Sequence, residues 1–289
     1  MRNLYGQLVP RKRRRISAFV KILIVLALTC GLLVAAGIYA IRSIKPLDLS
    51  PPPPEEGCRL ATEEDTDTLE VEQAANAATV SGVAFALDLP PHAVVVSYAT
   101  VWQESKFYNI EYGDRDSLGL FQQRPSMEWG SPEEIIDPVY ASTQFYEELV
   151  QVEGYLDLPV YEAAQAVQRS ADGFAYDQHE SRSRVMADAF TGAEGAVVTC
   201  WFPEEQAGDT DVAAAVEEMR RVFGVGPEEV PIAQRQTGDL GWAMAQWAVA
   251  HAATYGLTSV TYLDRQWTAA SGEEGWQATE TVSEELVLR

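Results

Sequence analysis

Cysteine and histidine are scarce in this chain of 289 residues, which contains three of each. Structural and catalytic metal sites usually draw several of these side chains together at short, recurring spacings. No such spacing occurs here, because the histidines are scattered and the cysteines stand far apart. The sequence therefore predicts no metal site and no cofactor. The residues concerned are Cys30, Cys58, Cys200, His92, His179 and His251.

Basic side chains are few beyond residue 45. Nine of the 21 lysines and arginines lie in residues 1–45, which hold no acidic residue. Residues 46–289 therefore carry 12 basic side chains against all 43 acidic ones, a net charge of −31. Such a surface is unsuited to nucleic acid, whose phosphates need a basic footprint. It would also repel anionic lipids or wall polymers unless cations screen it, so the acidity indicates solubility rather than recognition.

A long uncharged apolar run occurs at residues 22–41, directly after the basic cluster at 11–15. Twenty helical residues span a hydrocarbon core of about 30 Å. The run predicts a transmembrane helix with a cytoplasmic basic tail at 1–21, and the following domains are expected on the outer side of the membrane. A cleaved signal peptide is the competing interpretation, although its apolar region is normally shorter and no small-x-small site follows here.

The two cysteines beyond the apolar run agree with an exported chain. In an oxidising compartment, an even pair most simply forms one disulfide, so we predict a Cys58–Cys200 bond. Residues 42–57 contain four consecutive prolines and predict a stiff spacer. These features divide the exported chain into a first domain at 58–200 and a C-terminal module at 208–289.

Hydrophobic periodicity gives the fold class, which we predict to be α+β. The first domain is expected to be mostly helical with one small β-hairpin around 118–123, and residues 62–67 are expected to form a loop or a helix start. The C-terminal module is expected to be a small α+β unit. The predicted helices are 69–87, 92–105, a short helix that begins at Ser131, 137–152, 163–169, 176–193, 211–223 and 241–255. The predicted late strands are 260–262, 265–268 and 276–287.

The only constellation that resembles a site of chemistry lies within residues 92–126. An apolar helical run ends at Glu104-Ser105, a polar turn follows, and Gly119-Leu120-Phe121-Gln122 resumes an apolar segment. This places one carboxyl group at the rim of a hydrophobic element, opposite a short loop. A poorly hydrated carboxyl group can stay protonated near neutral pH and act as a general acid. We therefore identify Glu104 as the candidate catalytic residue; the alternative is a solvated glutamate at a helix end.

This pair of motifs resembles the signature of the soluble lytic transglycosylases and their goose-type lysozyme relatives, over roughly residues 70–193. The resemblance implies a lysozyme-like fold and cleavage of peptidoglycan glycan strands, with Glu104 as both acid and base. It implies that Ser105 supports the loop that positions Glu104. It also suggests that Gly119 allows close approach of the substrate and that Gln122 donates hydrogen bonds to it.

Two further features bear on the chemistry. Asp116 lies in the charged turn beside the proposed cleft and is a candidate substrate-binding residue or second carboxylate, although such runs are more often solvated turns. The family also carries an Ala-Tyr-Asn motif whose tyrosine orients the glutamate. The matching stretch here places Gln168 and Arg169 in the tyrosine and asparagine positions. Gln168 is therefore expected to bond Glu104, and Arg169 is expected to lower its pKa, which would weaken a general acid.

The C-terminal module resembles a small unit found beside cell-wall hydrolase domains and related in fold to zinc D-Ala-D-Ala peptidases. It has no His-x-His or paired His/Asp, so the resemblance implies a binding or packing unit that has lost its metal. Two functions follow as hypotheses. One is a membrane-anchored transglycosylase or glycoside hydrolase acting on peptidoglycan glycan strands. The other is a catalytically inactive glycan-binding or divisome scaffold with the same fold. The sequence identifies no protein partner.

Overall fold

The computed structural model describes residues 17–43, 55–170, 173–230 and 235–289. It contains two compact units, Met1–Pro53 and Pro54–Arg289. Most of the predicted basic tail and residues 44–54 of the predicted proline-rich spacer lie outside the described residues. The two units are described separately.

The first unit contains one helix, α1 (Ala18–Ser43), of 26 residues. At about 1.5 Å per residue it is longer than the roughly 30 Å of a bilayer core. Its apolar side chains are exposed, including Leu32, Leu33 and Phe19. The segment Ala18–Ala36 is long and apolar enough to cross a membrane, as a signal sequence also is. The predicted helix at 22–41 is therefore present, and it extends beyond the predicted bounds at both ends.

The second unit begins with a small antiparallel sheet of three strands in the order β2-β1-β3. The strands are β1 (Gly57–Ala61), β2 (Thr66–Leu69) and β3 (Val198–Trp201). Cys58 and Cys200 are direct partners across β1 and β3 and form the predicted disulfide. The interpretation of residues 62–67 as a loop or a helix start was wrong at its end, because Thr66 and Asp67 pair with β1.

Most of the chain between β2 and β3 is helical, and the helices surround a continuous apolar core. Two buried helices, α2 (Val71–Ala86) and α3 (Pro91–Glu104), pack against the later ones. The predicted helix at 176–193 begins as a 3₁₀ segment, Gly173–His179, and becomes α-helical only afterwards. The helices are α2 (Val71–Ala86), α3 (Pro91–Glu104), α4 (Pro132–Ile136), α5 (Pro138–Leu149), α6 (Val160–Gln168) and α7 (Glu180–Phe190).

The C-terminal segment contains helices α8 (Val212–Phe223), α9 (Leu240–Ala250) and α10 (Ala252–Tyr255), followed by strands β4 (Ser259–Thr268) and β5 (Gln277–Leu288). The two strands pair in antiparallel fashion. The two strands predicted at 260–262 and 265–268 form one strand, because register shifts on both sides of Leu263 bend the ladder without ending it.

The C-terminal segment packs directly on α2 and on β3. A Cβ at Gly82 of α2 would lie 2.2 Å from Val222 of α8, so the two helices approach closely at this glycine. The indoles of Trp267 and Trp276 donate hydrogen bonds to the β3 carbonyls of Cys200 and Val198, at 3.2 and 2.7 Å. Residues 58–200 and 208–289, which we predicted as separate domains, thus contribute to one core in the described part of the chain.

Candidate active site

Glu104 is the last residue of α3, and the turn after it is held from α2. Ser105 ends the helix, and the next two residues, Lys106 and Phe107, both have positive φ angles of 56° and 63°. Such backbone is unfavourable for residues with a Cβ and persists only where the surroundings enforce it. Side-chain amides of α2 supply this support, since Gln73 donates to the Lys106 carbonyl at 2.8 Å and Asn76 donates to the Phe107 carbonyl at 2.9 Å.

Aromatic packing fixes the same turn from within the core. The Phe107 ring is fully buried and meets Tyr98 and Trp102 of α3 edge-on, at centroid distances of 5.3 and 5.2 Å. Edge-to-face pairs of this kind are favourable beyond their burial. The end of α3 and the carboxyl group of Glu104 are therefore placed by a rigid part of the structure.

The Glu104 carboxyl group is half-buried and accepts one strong hydrogen bond. The hydroxyl of Tyr176, itself 1% exposed, donates to Glu104 Oε1 at 2.8 Å. Burial raises the pKa of Glu104 above its usual value, and the Tyr176 hydrogen bond lowers it by a smaller amount. A carboxyl group with a raised pKa keeps its proton to higher pH, as a general acid requires.

Tyr176 reaches Glu104 because the 3₁₀ segment Gly173–His179 packs against α3 and α6. Two polar contacts join this segment to the residue preceding Glu104. His179 and Gln178 lie 3.0 and 3.3 Å from Gln103 Oε1. Tyr176 was not predicted from the sequence. The only signal that could have found it was a tyrosine downstream of the aligned Ala-Val-Gln stretch, and the sequence alone does not show that the chain turns back toward α3.

The loop opposite Glu104 is connected to α3 through Ser105. The predicted hairpin is present as an antiparallel bridge between Leu118 and Gln123. The Ser105 hydroxyl donates to the Leu120 carbonyl at 2.7 Å, and Phe121 stacks on Phe145 at 4.6 Å between centroids. Ser105 therefore contacts the loop as the resemblance implied, and the loop is anchored in the core.

Gly119 and Gln122 have local contacts within this loop. Gly119 has a φ of +73°, and a Cβ there would lie 2.6 Å from the Ile135 carbonyl. A glycine is thus required for the close approach of α4, which occupies the side of Gly119 that we expected to face a substrate. The Gln122 amide donates to the Gly119 carbonyl at 3.1 Å, and this side chain also lines a surface cleft.

Gln168 and Arg169 are not placed as the sequence suggested. Gln168 donates its amide to the Phe121 carbonyl at 2.9 Å, so its hydrogen bond goes to the loop and the bond to Glu104 comes from Tyr176. The expected lowering of the Glu104 pKa by Arg169 was also wrong, because that pKa is raised and Arg169 is not among its causes. The exposed Arg169 lies at the C-terminal end of α6, in the left-handed region with a φ of 51°.

Asp116 is engaged in an ion pair at the turn. Its Oδ1 lies 2.7 Å from Arg124 Nε, and its Oδ2 accepts the Ser126 N–H at 2.8 Å. The contacts from Ser126 and Arg124 hold the pKa of this carboxyl far below its usual range. Both carboxylate oxygens are therefore occupied in fixing the turn before the 3₁₀ segment Pro125–Met127.

A surface cleft of about 460 Å³ lies beside the loop and is called the Arg169 cleft below. Its walls include Gln122, Arg124, Trp129, Glu148, Gln168 and Arg169. Glu104 does not line it. Two of the predicted substrate-binding residues, Gln122 and Gln168, do line it, and Gln168 connects it to the Glu104 loop through Phe121.

No protein-family model matches the chain, and no curated protein matches its sequence. Support for a function therefore comes from the geometry of the Glu104 site and from the motif resemblance.

Proposed function

We propose that this protein cleaves the glycan strands of peptidoglycan, with Glu104 acting first as general acid and then as general base. The observation that carries the proposal is the half-buried Glu104 carboxyl group, whose pKa is raised by burial and whose Oε1 is held by the Tyr176 hydroxyl. This group ends a buried helix opposite a Gly-Leu-Phe-Gln loop, in the sequence context that resembles the lytic transglycosylases.

One carboxyl group is sufficient for the proposed reaction. Protonated Glu104 donates its proton to the glycosidic oxygen while the bond from that oxygen to the muramyl C1 breaks. The resulting carboxylate then takes the proton of the muramyl 6-hydroxyl as that oxygen bonds to C1. The product is a 1,6-anhydro sugar, no water is consumed, and Glu104 regains its proton. If water attacks C1 instead, the same steps give a hydrolysed end.

The state of Asp116 favours the mechanism with a single carboxyl group. An inverting hydrolase requires a second carboxylate that activates a water molecule. The Asp116 oxygens are occupied by Arg124 and the Ser126 N–H, and the low pKa of Asp116 makes it a poor base.

The products of digestion test the proposal. The full chain, solubilised in detergent, is incubated with purified sacculi, and the released fragments are weighed by mass spectrometry. We expect fragments with anhydro-muramyl ends. Hydrated ends would still support strand cleavage by Glu104, but they would show that water, and not the muramyl 6-hydroxyl, attacks C1. Unchanged strands would contradict the enzymatic proposal.

A catalytically silent glycan-binding protein is the second candidate, and one observation favours it. Glu104 does not line the Arg169 cleft, which lies beside the motif loop. This candidate predicts that the protein sediments with sacculi without creating new reducing or anhydro ends. A binding measurement on the same sacculi therefore separates the two functions.

We further propose that α1 anchors the protein in the cell membrane, with residues 1–21 in the cytoplasm and Pro54–Arg289 on the cell-wall side. The basic cluster before α1 and the Cys58–Cys200 disulfide support this orientation. Protease added to wall-stripped cells should degrade the second unit and leave a membrane-bound fragment that contains α1. A mature protein whose mass lacks residues 1–41 would show instead that α1 is a cleaved signal.

Tyr176→Phe is expected to lower kcat for glycan cleavage about tenfold and to shift the alkaline limb of its pH profile upward. A hydrogen bond to a charged group contributes about 1.5–3 kcal/mol, and tenfold in rate corresponds to roughly 1.4 kcal/mol. The Tyr176 bond lowers the pKa of Glu104, so its loss raises that pKa further and keeps the acid protonated to higher pH. Rates are measured across a pH series.

Tyr255→Phe is the matched control, since Tyr255 stacks near Trp247 in the C-terminal segment. It should leave both kcat and the pH profile unchanged. A Tyr176→Phe protein with lower kcat but an unmoved alkaline limb would mean that Tyr176 serves the fold and does not position the acid.

A further inference from the structure

The Arg169 cleft contains a guanidinium group that forms no ion pair within the part of the chain that the structure describes. Among the described residues, Arg169 forms no ion pair, whereas Arg124, Arg182, Arg184 and Arg221 all do. The second arginine of the cleft, Arg124, is occupied by Asp116 and Ser126. The guanidinium of Arg169 therefore remains available to a ligand.

The other walls of the cleft carry the opposite charge, amides and apolar surface. Glu128 and Glu148 are exposed in the same cleft and have no ion pair within the described part of the chain. Trp129 and Met127 supply apolar surface, and Gln122 supplies an amide. A neutral sugar offers hydroxyl and acetamide groups, which carry no charge to pair with the Arg169 guanidinium or with the glutamates of the cleft. A short peptide with a carboxylate and an amine does match them.

We infer that the Arg169 cleft binds the peptide side arm of a glycan strand, with the Arg169 guanidinium taking a carboxylate of that arm. Peptidoglycan side arms carry free carboxylates and the amine of a diamino acid, which Glu128 or Glu148 can accept. The inference rests on the proposed function. It assigns a second role to the surface next to the Glu104 loop: this surface selects strands that still bear peptides.

The position of the cleft supports this assignment. Gln168 precedes Arg169 at the end of α6 and donates to the Phe121 carbonyl, and the neighbouring Leu120 carbonyl accepts the Ser105 hydroxyl. Through these contacts the cleft and the end of α3 share one loop, and a side arm branching from a strand bound at that loop can enter the cleft.

Binding is measured by calorimetry on the full chain in detergent, carrying Glu104→Gln so that no probe is turned over. Three probes are compared: a disaccharide-peptide fragment, a peptide-free strand that keeps its lactyl carboxylates, and a chitin tetramer that has no charge. Adding Arg169→Gln is expected to weaken binding of the disaccharide-peptide about tenfold and to change binding of the other two probes less than twofold. Arg169→Lys should restore part of the loss, because it keeps the charge but not the bidentate geometry.

The outcomes separate this inference from the proposed function. Equal weakening for all three probes would mean that Arg169 contacts the sugar. Equal weakening for both carboxylate-bearing probes would mean that Arg169 attracts any nearby carboxylate, since the lactyl carboxyl of the disaccharide-peptide is held in an amide bond. Either result overturns the inference. Arg265→Gln, on β4 and outside the cleft, is the control and should change nothing. If the parent protein binds the disaccharide-peptide through Arg169 but the wild-type chain cleaves no strand, the inference stands and the enzymatic proposal fails. If the parent binds no probe, both fail.

Discussion

Glu104→Gln is expected to lower kcat for glycan-strand cleavage by roughly 10³-fold, within the 10²–10⁴-fold range of general acid–base catalysis. The amide keeps the size of the side chain and can still accept the Tyr176 hydroxyl, but it has no acidic proton to give to the glycosidic oxygen. Release of fragments from sacculi, followed by mass spectrometry, measures the loss. Equal release by wild type and variant would remove Glu104 from the mechanism.

The stability of the same variant supplies the control. Because burial raises the pKa of Glu104 in the folded state, the folded chain holds this proton more tightly than the unfolded chain does. The stability contributed by the protonated group is therefore present at low pH and is lost as the pH rises through the raised folded-state pKa. The substituted amide cannot ionise, so Glu104→Gln should unfold at an equal or higher temperature than wild type at pH 8. An inactive variant that is clearly less stable at that pH would point to misfolding.

Glu111→Gln is the matched control for the loss of the catalytic carboxyl group, because Glu111 is exposed and lies outside the Arg169 cleft. It removes an acidic side chain of the same size from the neighbouring surface. We expect kcat on peptide-free strands to change less than twofold in this variant, so that any large loss is specific to Glu104.

Replacing Cys58 and Cys200 together by alanine is expected to lower the free energy of unfolding by about 2–5 kcal/mol. The bond closes a loop with a sequence separation of 142 residues, and in the chain-entropy model a longer loop gives a larger constraint on the unfolded state. It also joins two strands that face each other directly in the sheet. Denaturant titration of the oxidised protein and of the double variant measures the difference.

Cys30→Ala serves as the control, since Cys30 lies in α1 and is unpaired in the structure. It should leave the denaturation midpoint of the second unit unchanged. A double variant at Cys58 and Cys200 that unfolds at the wild-type denaturant concentration would show that the ladder between β1 and β3 holds without the covalent bond.

Features that depend on local sequence were predictable. Helices α2, α3 and α8 lie close to their predicted bounds, because each shows an apolar face and a recognisable start. The single helix predicted at 241–255 is divided at His251 into α9 and α10. Ser131 and Asp137 cap the helices that follow them, as expected of serine and aspartate before proline. The disulfide also followed from counting, since only two cysteines remained outside the apolar run.

Features that depend on distant pairing were not predictable. Strands β2 and β3 have four residues each, and β2 reads Thr-Asp-Thr-Leu, which carries no apolar alternation. β2 pairs with β1, its neighbour in sequence, whereas the ladder between β1 and β3 arises only when residues far apart in sequence meet. The same reason explains why we expected Gln168 to form a hydrogen bond with Glu104 and did not predict the bond from Tyr176. The position of a hydroxyl on a 3₁₀ segment is set by its packing against α3, which a motif alignment does not contain.

The central place of β1 has a consequence for the order in which the chain can assemble. β1 is synthesised early and can pair at once with β2. Its other edge can pair only after β3 has been synthesised. The β3 carbonyls of Cys200 and Val198 accept their indole hydrogen bonds only after Trp267 and Trp276 have been made. A protein synthesised from its amino terminus must therefore hold an unpaired strand edge and a reduced Cys58 thiol until β3 and Cys200 have been made. Slow or interrupted synthesis is then expected to expose this edge to mispairing with other chains, and catalysts of thiol oxidation would act late in maturation.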